Sequence, residues 1–155
     1  MSSVSGKNHT GHNAKPHNGV EDCIFCKIIA GELPSEKIYE DTETLAFLDI
    51  RPVNAGHILV VSKAHYRNIF DIPEPLWLAM MKTTHHLAPI IKDATGAGGI
   101  NISMNNERPA HQLVFHAHVH VIPRFEGDPH KAWPGKEYKE GEKSAVAEKI
   151  KSALG

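Results

Sequence analysis

"HAHVHVIPR", residues 116–124, is the stretch that sets the fold. His116, His118 and His120 alternate with Ala117, Val119 and Val121, and β-branched residues in a period of 2 favour a strand. On a strand the three imidazoles share one face, with successive side chains roughly 6.5–7 Å apart. Phe115, Ala117, Val119 and Val121 then point to the other face and read as core. Pro123 has no N–H to give a sheet ladder, so it ends the strand or sits at an edge. Arg124, one residue further, is placed to serve an anion. Solvent-facing strands carry Lys, Glu and Thr, so three histidines in a row point to chemistry. Two chemistries fit these residues alone. One is a three-histidine zinc site that activates water. The other is a neutral middle imidazole acting as nucleophile, its neighbours holding tautomer and charge.

Working outward, the chain reads as α+β. "SEKIYED", "TLAFLDI", "HILVVSK" and "INISMNN" read as four strands, and 113–122 is the fifth. Between the third and fourth, from Pro73 to about Asp93, apolar residues recur at helical spacing and predict one long amphipathic helix, with Pro89 a potential kink. His85 and His86 fall on its surface. "CIFCKIIAG" predicts a helical turn ending at Gly31, and "EKSAVAEKIKSAL" a short C-terminal helix with Val146, Ile150 and Leu154 on one face. Strands in series around one inserted helix argue for a five-stranded antiparallel sheet.

Composition narrows the function classes. The 155 residues fit one domain plus tails, and 41% hydrophobic with 23% charged content is ordinary for a globular protein. A net charge of −1 gives no bulk argument for nucleic acid or an acidic membrane surface as partner, and no apolar run reaches the ~20 residues of a membrane span. Residues 1–20 are rich in Ser, Asn, Gly and His and are expected to be disordered, with residues 21–155 the folded domain. The only two cysteines form Cys23-x-x-Cys26, which favours a reduced, cytoplasmic protein. The pair is ambiguous between redox and zinc chemistry, though no thioredoxin-like βαβ pattern surrounds it.

"CIFCKIIAGELPSEKIYEDTETLAFLDIRPVNAGHILVVSKAHY", followed by "NNERPAHQLVFHAHVHVIPR", resembles the histidine triad (HIT) family, Hint branch. The likeness runs from Asp22 to Arg124, with a Hint-like Trp133-Pro134-Gly135 segment beyond. It implies a HIT-like fold whose sheets join across a homodimer, with the long helix also at the interface. The implied activity is cleavage at the α-phosphorus of purine nucleotide conjugates through a nucleotidyl-histidine intermediate. His118 matches the family nucleophile, His120 a donor to the phosphate oxygens, His57 a fourth histidine that orients the triad, and Gln112 a polar group beside the leaving group. Asp49 matches the carboxylate that accepts from both ribose hydroxyls, as a two-oxygen acceptor can. Phe25, Ile28, Phe47 and Ile50 match positions that sandwich the base, and Asn105 lies with Gln112 beside the phosphates.

Bacterial-type relatives carry zinc on residues matching Cys23, Cys26, His65 and His116, which implies a closed structural Zn2+ site here. The resemblance then splits the three histidines among three tasks: His116 on the metal, His118 on phosphorus, His120 on the phosphate oxygens. Two departures stand out: His111 where relatives usually have Gly, and Leu113 where many Hint proteins have Ser. They leave open a nucleotide-binding interaction module with weak catalysis, and within the family a dinucleoside polyphosphate hydrolase of the Fhit type is the close alternative.

Overall fold

The computed structural model describes residues 20–155, so the expected disordered tail over residues 1–20 falls almost wholly outside the described residues. The elements in chain order are α1 (Ile24–Ile29), β1 (Lys37–Glu40), β2 (Thr44–Leu48), β3 (Ile58–Ser62), α2 (Glu74–Thr95), β4 (Gly99–Ser103), a 3-10 turn (Arg108–Ala110), β5 (His118–Arg124) and α3 (Glu142–Leu154). The strands form one antiparallel sheet in the order β1-β2-β3-β5-β4. β3 lies at its centre and is buried on both faces, which is why "HILVVSK" reads as an unbroken apolar run.

Each face of the sheet carries its own core. Ala46, Ile58, Val60, Val119 and Val121 pack against Met80, Leu87 and Ile91 of α2. At about 1.5–3 kcal/mol for each fully buried large apolar side chain, this layer supplies most of the driving force for docking the helix. α2 runs continuously through Pro89, which is exposed and leaves the inner stripe intact. On the opposite face, Leu45, Phe47, Leu59 and Val61 pack against Cys23 and Phe25 of the α1 turn. Val61 pairs with His118 and Leu59 with His120, so the alternation of β5 delivers both imidazoles to this second face.

The structure refines the sequence reading at several positions. Regular pairing in β5 begins at His118, because the Ala117 N–H bonds the Tyr66 carbonyl outside the ladder. Pro123 lies inside β5, two residues beyond Val121, where the pairing with β3 stops. Phe115 is not core: its ring lies under the guanidinium groups of Arg67 and Arg108, at 5.4 and 5.7 Å. Arg124 serves an anion, but that anion is Asp128 of its own chain. The C-terminal helix forms with Val146, Ile150 and Leu154 all exposed. Among the described residues no helix is long and apolar enough to cross a membrane.

Candidate functional site

A cavity of about 430 Å³ opens on the α1 side of the sheet, with His118 and His120 in its wall. Phe25, Ile28, Phe47, Asp49, Ile50 and Asn105 line it as well, so the structure gathers these expected nucleotide-pocket residues at one place. Phe25 and Phe47 meet edge to face at 5.5 Å, and both are buried. Ile50 is 89% exposed, an apolar side chain offered to whatever enters. Asp49 Oδ1 accepts the Arg51 N–H at 2.8 Å, which fixes the carboxylate at the end of β2. Ser35, Arg51 and Leu59 also line the cavity and were not singled out from sequence. For Leu59 the signal was present, since it alternates with Ile58 and Val60 and must face away from α2.

Hydrogen bonds to the backbone settle the protonation of each ring. His118 Nδ1 lies 2.6 Å from the His116 carbonyl, an acceptor only, so Nδ1 carries the proton and Nε2 keeps its lone pair. The Val53 N–H donates to His57 Nδ1 at 3.1 Å, so His57 carries its proton on Nε2. That proton goes to His120 Nδ1 at 2.9 Å, which leaves His120 with an N–H on Nε2. A nucleophilic lone pair and an N–H donor thus stand on neighbouring rings whose centroids are 4.9 Å apart. Burial, the largest cause, lowers the pKa of His57 and His118. Burial with the neighbouring His118 and His57 pushes His120 down to about 4. Asp49 opposes the shift at all three rings. These rings are neutral at physiological pH, as a lone-pair nucleophile requires.

His116 is fully buried and faces a different task. Its Nε2 lies 2.7 Å from the Ser62 carbonyl, so Nε2 carries the proton and the Nδ1 lone pair points at Cys23 Sγ and Cys26 Sγ, 3.4 and 3.5 Å away. His65 Nδ1 lies 3.2 Å from Cys26 Sγ. All four ligand atoms lie within 4.8 Å of one another, and both cysteines are free thiols. Burial, then the neighbouring Cys23, pushes the Cys26 thiol up to about 11. A two-sulfur, two-nitrogen set gathered within this spacing suits tetrahedral zinc. The donor set therefore fits the metal. A second cluster, Asp49, His57 and His120, lies within the same spacing, but His57 spends its Nε2 proton on His120 and presents no lone pair there.

Gln112 departs from its expected place. It is 2% exposed and does not line the cavity. Its amide donates to the Arg67 and Val114 carbonyls at 2.6 and 3.1 Å, and its Oε1 accepts from Asn68 Nδ2 and the Glu107 N–H at 3.0 and 2.8 Å. No capacity remains for a leaving group. Gln112 instead builds the loop that carries His111 and Leu113 to the cavity wall. His111 sits at φ 64°, the left-handed region that Gly enters freely and other residues at a cost of about 1–2 kcal/mol. The backbone conformation is thus one a Gly takes easily, and His111 adopts it under strain.

Comparison with known proteins agrees with this architecture. The HIT domain profile matches residues 30–127. The chain is 46% identical over 105 residues to Protein hit of Bacillus subtilis, covering 68% of this chain and 72% of the relative. It is 36% identical over 137 residues to the adenosine 5′-monophosphoramidase of Schizosaccharomyces pombe, covering 85% of this chain and 98% of the relative. A Zn-bound histidine triad family protein from Mycobacterium smegmatis superposes with a TM-score of 0.70 at 35% identity, over 87% of this chain and 99% of that one. The chain belongs to the HIT family.

Proposed function

We propose that this protein hydrolyses purine nucleoside 5′-phosphoramidates, releasing the nucleoside monophosphate and an amine. The observation that carries the reading is the tautomer set: a free His118 Nε2 lone pair beside a His120 N–H donor, at the wall of an apolar cavity. His118 Nε2 forms a bond to the α-phosphorus while the P–N bond to the amine breaks, and the leaving amine takes a proton from solvent, which the attacking water of the second step returns. Water then attacks phosphorus, the N–P bond to His118 breaks, and the monophosphate departs. His120 Nε2–H faces the phosphate oxygens as charge builds. Asp49 accepts from the ribose hydroxyls, Phe25, Ile28, Phe47 and Ile50 enclose the base, and Asn105 stands beside the phosphate. The relatives that are phosphoramidases by name support the choice of substrate class.

Cys23, Cys26, His65 and His116 hold a structural Zn2+ in this reading. When bound, the metal gives its ligands the charge compensation that two thiolates need. Through these four residues a bound metal would tie the α1 turn to the segment after β3 and to the start of β5, beside the carbonyl on which His118 rests. Four protein ligands would complete a tetrahedral structural site and leave no position for a reacting water.

The same reading includes a homodimer in a reducing, cytoplasmic setting. β4 is an edge strand with Ile102 48% exposed, and α2 leaves Leu78 and Ile90 exposed on its outer side. Met80 on the inner side of the same helix is fully buried and belongs to the core. Sedimentation at micromolar concentration tests the assembly.

The deciding experiment is turnover of a fluorogenic AMP amidate by the wild type and His118→Ala, with bound zinc quantified in both. The wild type turns over and yields a trappable nucleotidyl adduct, and His118→Ala is inactive but keeps its zinc. A wild type that binds AMP without turnover refutes the enzyme reading in favour of a binding module. Leu113, 89% exposed in the cavity wall, favours that second reading by removing a hydroxyl from the phosphate side. Faster turnover of diadenosine polyphosphates than of the amidate would select the Fhit-type alternative.

A further inference from the structure

Beyond β5 the chain makes a turn whose hydrogen bonds lead back to the site. Asp128 accepts from Arg124 Nε and an Arg124 terminal nitrogen at 2.7 and 2.6 Å, and from the Phe125 and His130 backbone N–H groups at 3.1 Å each. It also accepts from Asn54 Nδ2 at 3.1 Å, while that same amide donates to the Pro123 carbonyl at 2.9 Å. His130 Nε2 donates to the Val53 carbonyl at 3.0 Å. Val53 and Asn54 are therefore gripped from outside by two side chains of the 124–130 turn. From inside, the Val53 N–H is the group that keeps His57 Nδ1 unprotonated.

We infer that Asp128 and His130 are positioning residues, which act through the backbone on either side of Val53 Cα to fix the tautomer of His57 and so the N–H that His120 presents to substrate. The inference rests on the roles given above to His118 and His120. The two rings have two neutral arrangements. In one, His57 donates to His120 and His120 offers an N–H to the cavity. In the other, the proton between them belongs to His120 Nδ1, and His120 offers the cavity a lone pair that repels phosphate oxygens. Only the first leaves His57 Nδ1 free to accept from Val53. A Val53 backbone held in place selects the productive arrangement, and a loose one lets both populate. Arg124, bonded to Asp128 and to the His130 carbonyl, braces the turn rather than the substrate.

The experiment compares wild type, Asp128→Ala, His130→Ala and His130→Gln in the full chain. Long-range 1H–15N correlation of the histidine rings reports which nitrogen of His57 is protonated, without any turnover. Steady-state kinetics on the AMP amidate runs alongside. Expected in Asp128→Ala and His130→Ala is a His57 Nδ1 signal moving toward the protonated type. kcat should fall on the order of tenfold with KM little changed, below the ~10²–10³-fold that losing an oxyanion donor outright costs. His130→Gln keeps an N–H donor and restores both readouts. Unchanged ring signals in Asp128→Ala and His130→Ala overturn the inference, and so do shifted signals with an unchanged kcat. A wild type without turnover refutes the phosphoramidase reading and the catalytic consequence with it, while the ring signals still decide whether the turn controls the tautomer.

Discussion

Gln112→Ala separates stability from chemistry at the position where sequence and structure point different ways. The substitution removes four hydrogen bonds at once: two donated to the Arg67 and Val114 carbonyls, two accepted from Asn68 and the Glu107 N–H. Asn68 Nδ2 keeps its second partner, Glu107 Oε1, at 2.9 Å. The Glu107 N–H loses its amide partner at a residue held at φ 71°, where the surrounding bonds enforce a costly backbone conformation. At about 1 kcal/mol net for each bond, with water recovering part of the loss, the cost is about 3–4 kcal/mol. For a chain of this size that corresponds to a fall in Tm of roughly 10 °C. The amide has no capacity left for substrate, so kcat measured well below the new Tm should stay within about threefold. KM rises, because Asn105, His111 and Leu113 sit on the loosened loop and line the cavity. Thermal melts and steady-state kinetics on one preparation provide the check. An unchanged Tm with kcat down on the order of a hundredfold, the signature of a lost transition-state donor, would refute the reasoning.

Three further outcomes follow from the geometry. His57 and His120 are held below their ordinary pKa, His120 at about 4, so between about 6.5 and 4 the folded chain binds fewer protons than the unfolded chain. Their stabilising contribution is therefore full above that window and declines as pH falls through it; urea midpoints taken from neutral pH downward test the sign, and a midpoint that rises on acidification contradicts it. Gly56→Ala places a Cβ 2.6 Å from Thr95 Cγ2 and 3.3 Å from Pro123 Cγ at a residue with φ +90°, so it should cost about 3 kcal/mol in stability and lower turnover by shifting the adjoining His57. Cys26→Ala should abolish zinc binding and lower Tm, read by metal analysis and thermal melts; full zinc content in that variant would remove Cys26 from the ligand set.

The alternation of β5 was legible because a period of 2 is a property of side chains, and it correctly put His118 and His120 opposite Val119 and Val121. The gathering of Cys23, Cys26, His65 and His116 was legible only through family resemblance, since nothing local in four positions spread over the chain says that they meet. The remaining differences have physical causes. Phe115 lies just before regular pairing begins, so the period of 2 no longer fixes its side, and two arginines claim its ring. Gln112 in sequence is a polar residue near a site, and only the surrounding loop shows that every one of its hydrogen bonds is spent. Arg124 and Asp128 stand four apart with no helix to bring them together, so their pairing depends on a turn whose shape the sequence does not announce.

Why three imidazoles in one short run hold two tautomers turned to three different surroundings follows from their partners. Side-chain type is the same at all three positions, so the difference has to come from elsewhere. The Ser62 carbonyl takes the Nε2 proton of His116, the His116 carbonyl takes the Nδ1 proton of His118, and the Val53 N–H acts on His120 by way of His57. Each of these is a main-chain group fixed by the sheet or by the loop beside it, and a substitution changes it only by moving backbone. Burial then makes a second proton on any ring costly, and each ring's neighbours raise the cost further at His120. A strand that merely displayed three histidines to water would let them exchange tautomers freely. Here the backbone assigns one nitrogen on each ring its proton, and that assignment turns one lone pair toward the thiols and leaves a lone pair and an N–H on the two rings in the cavity wall.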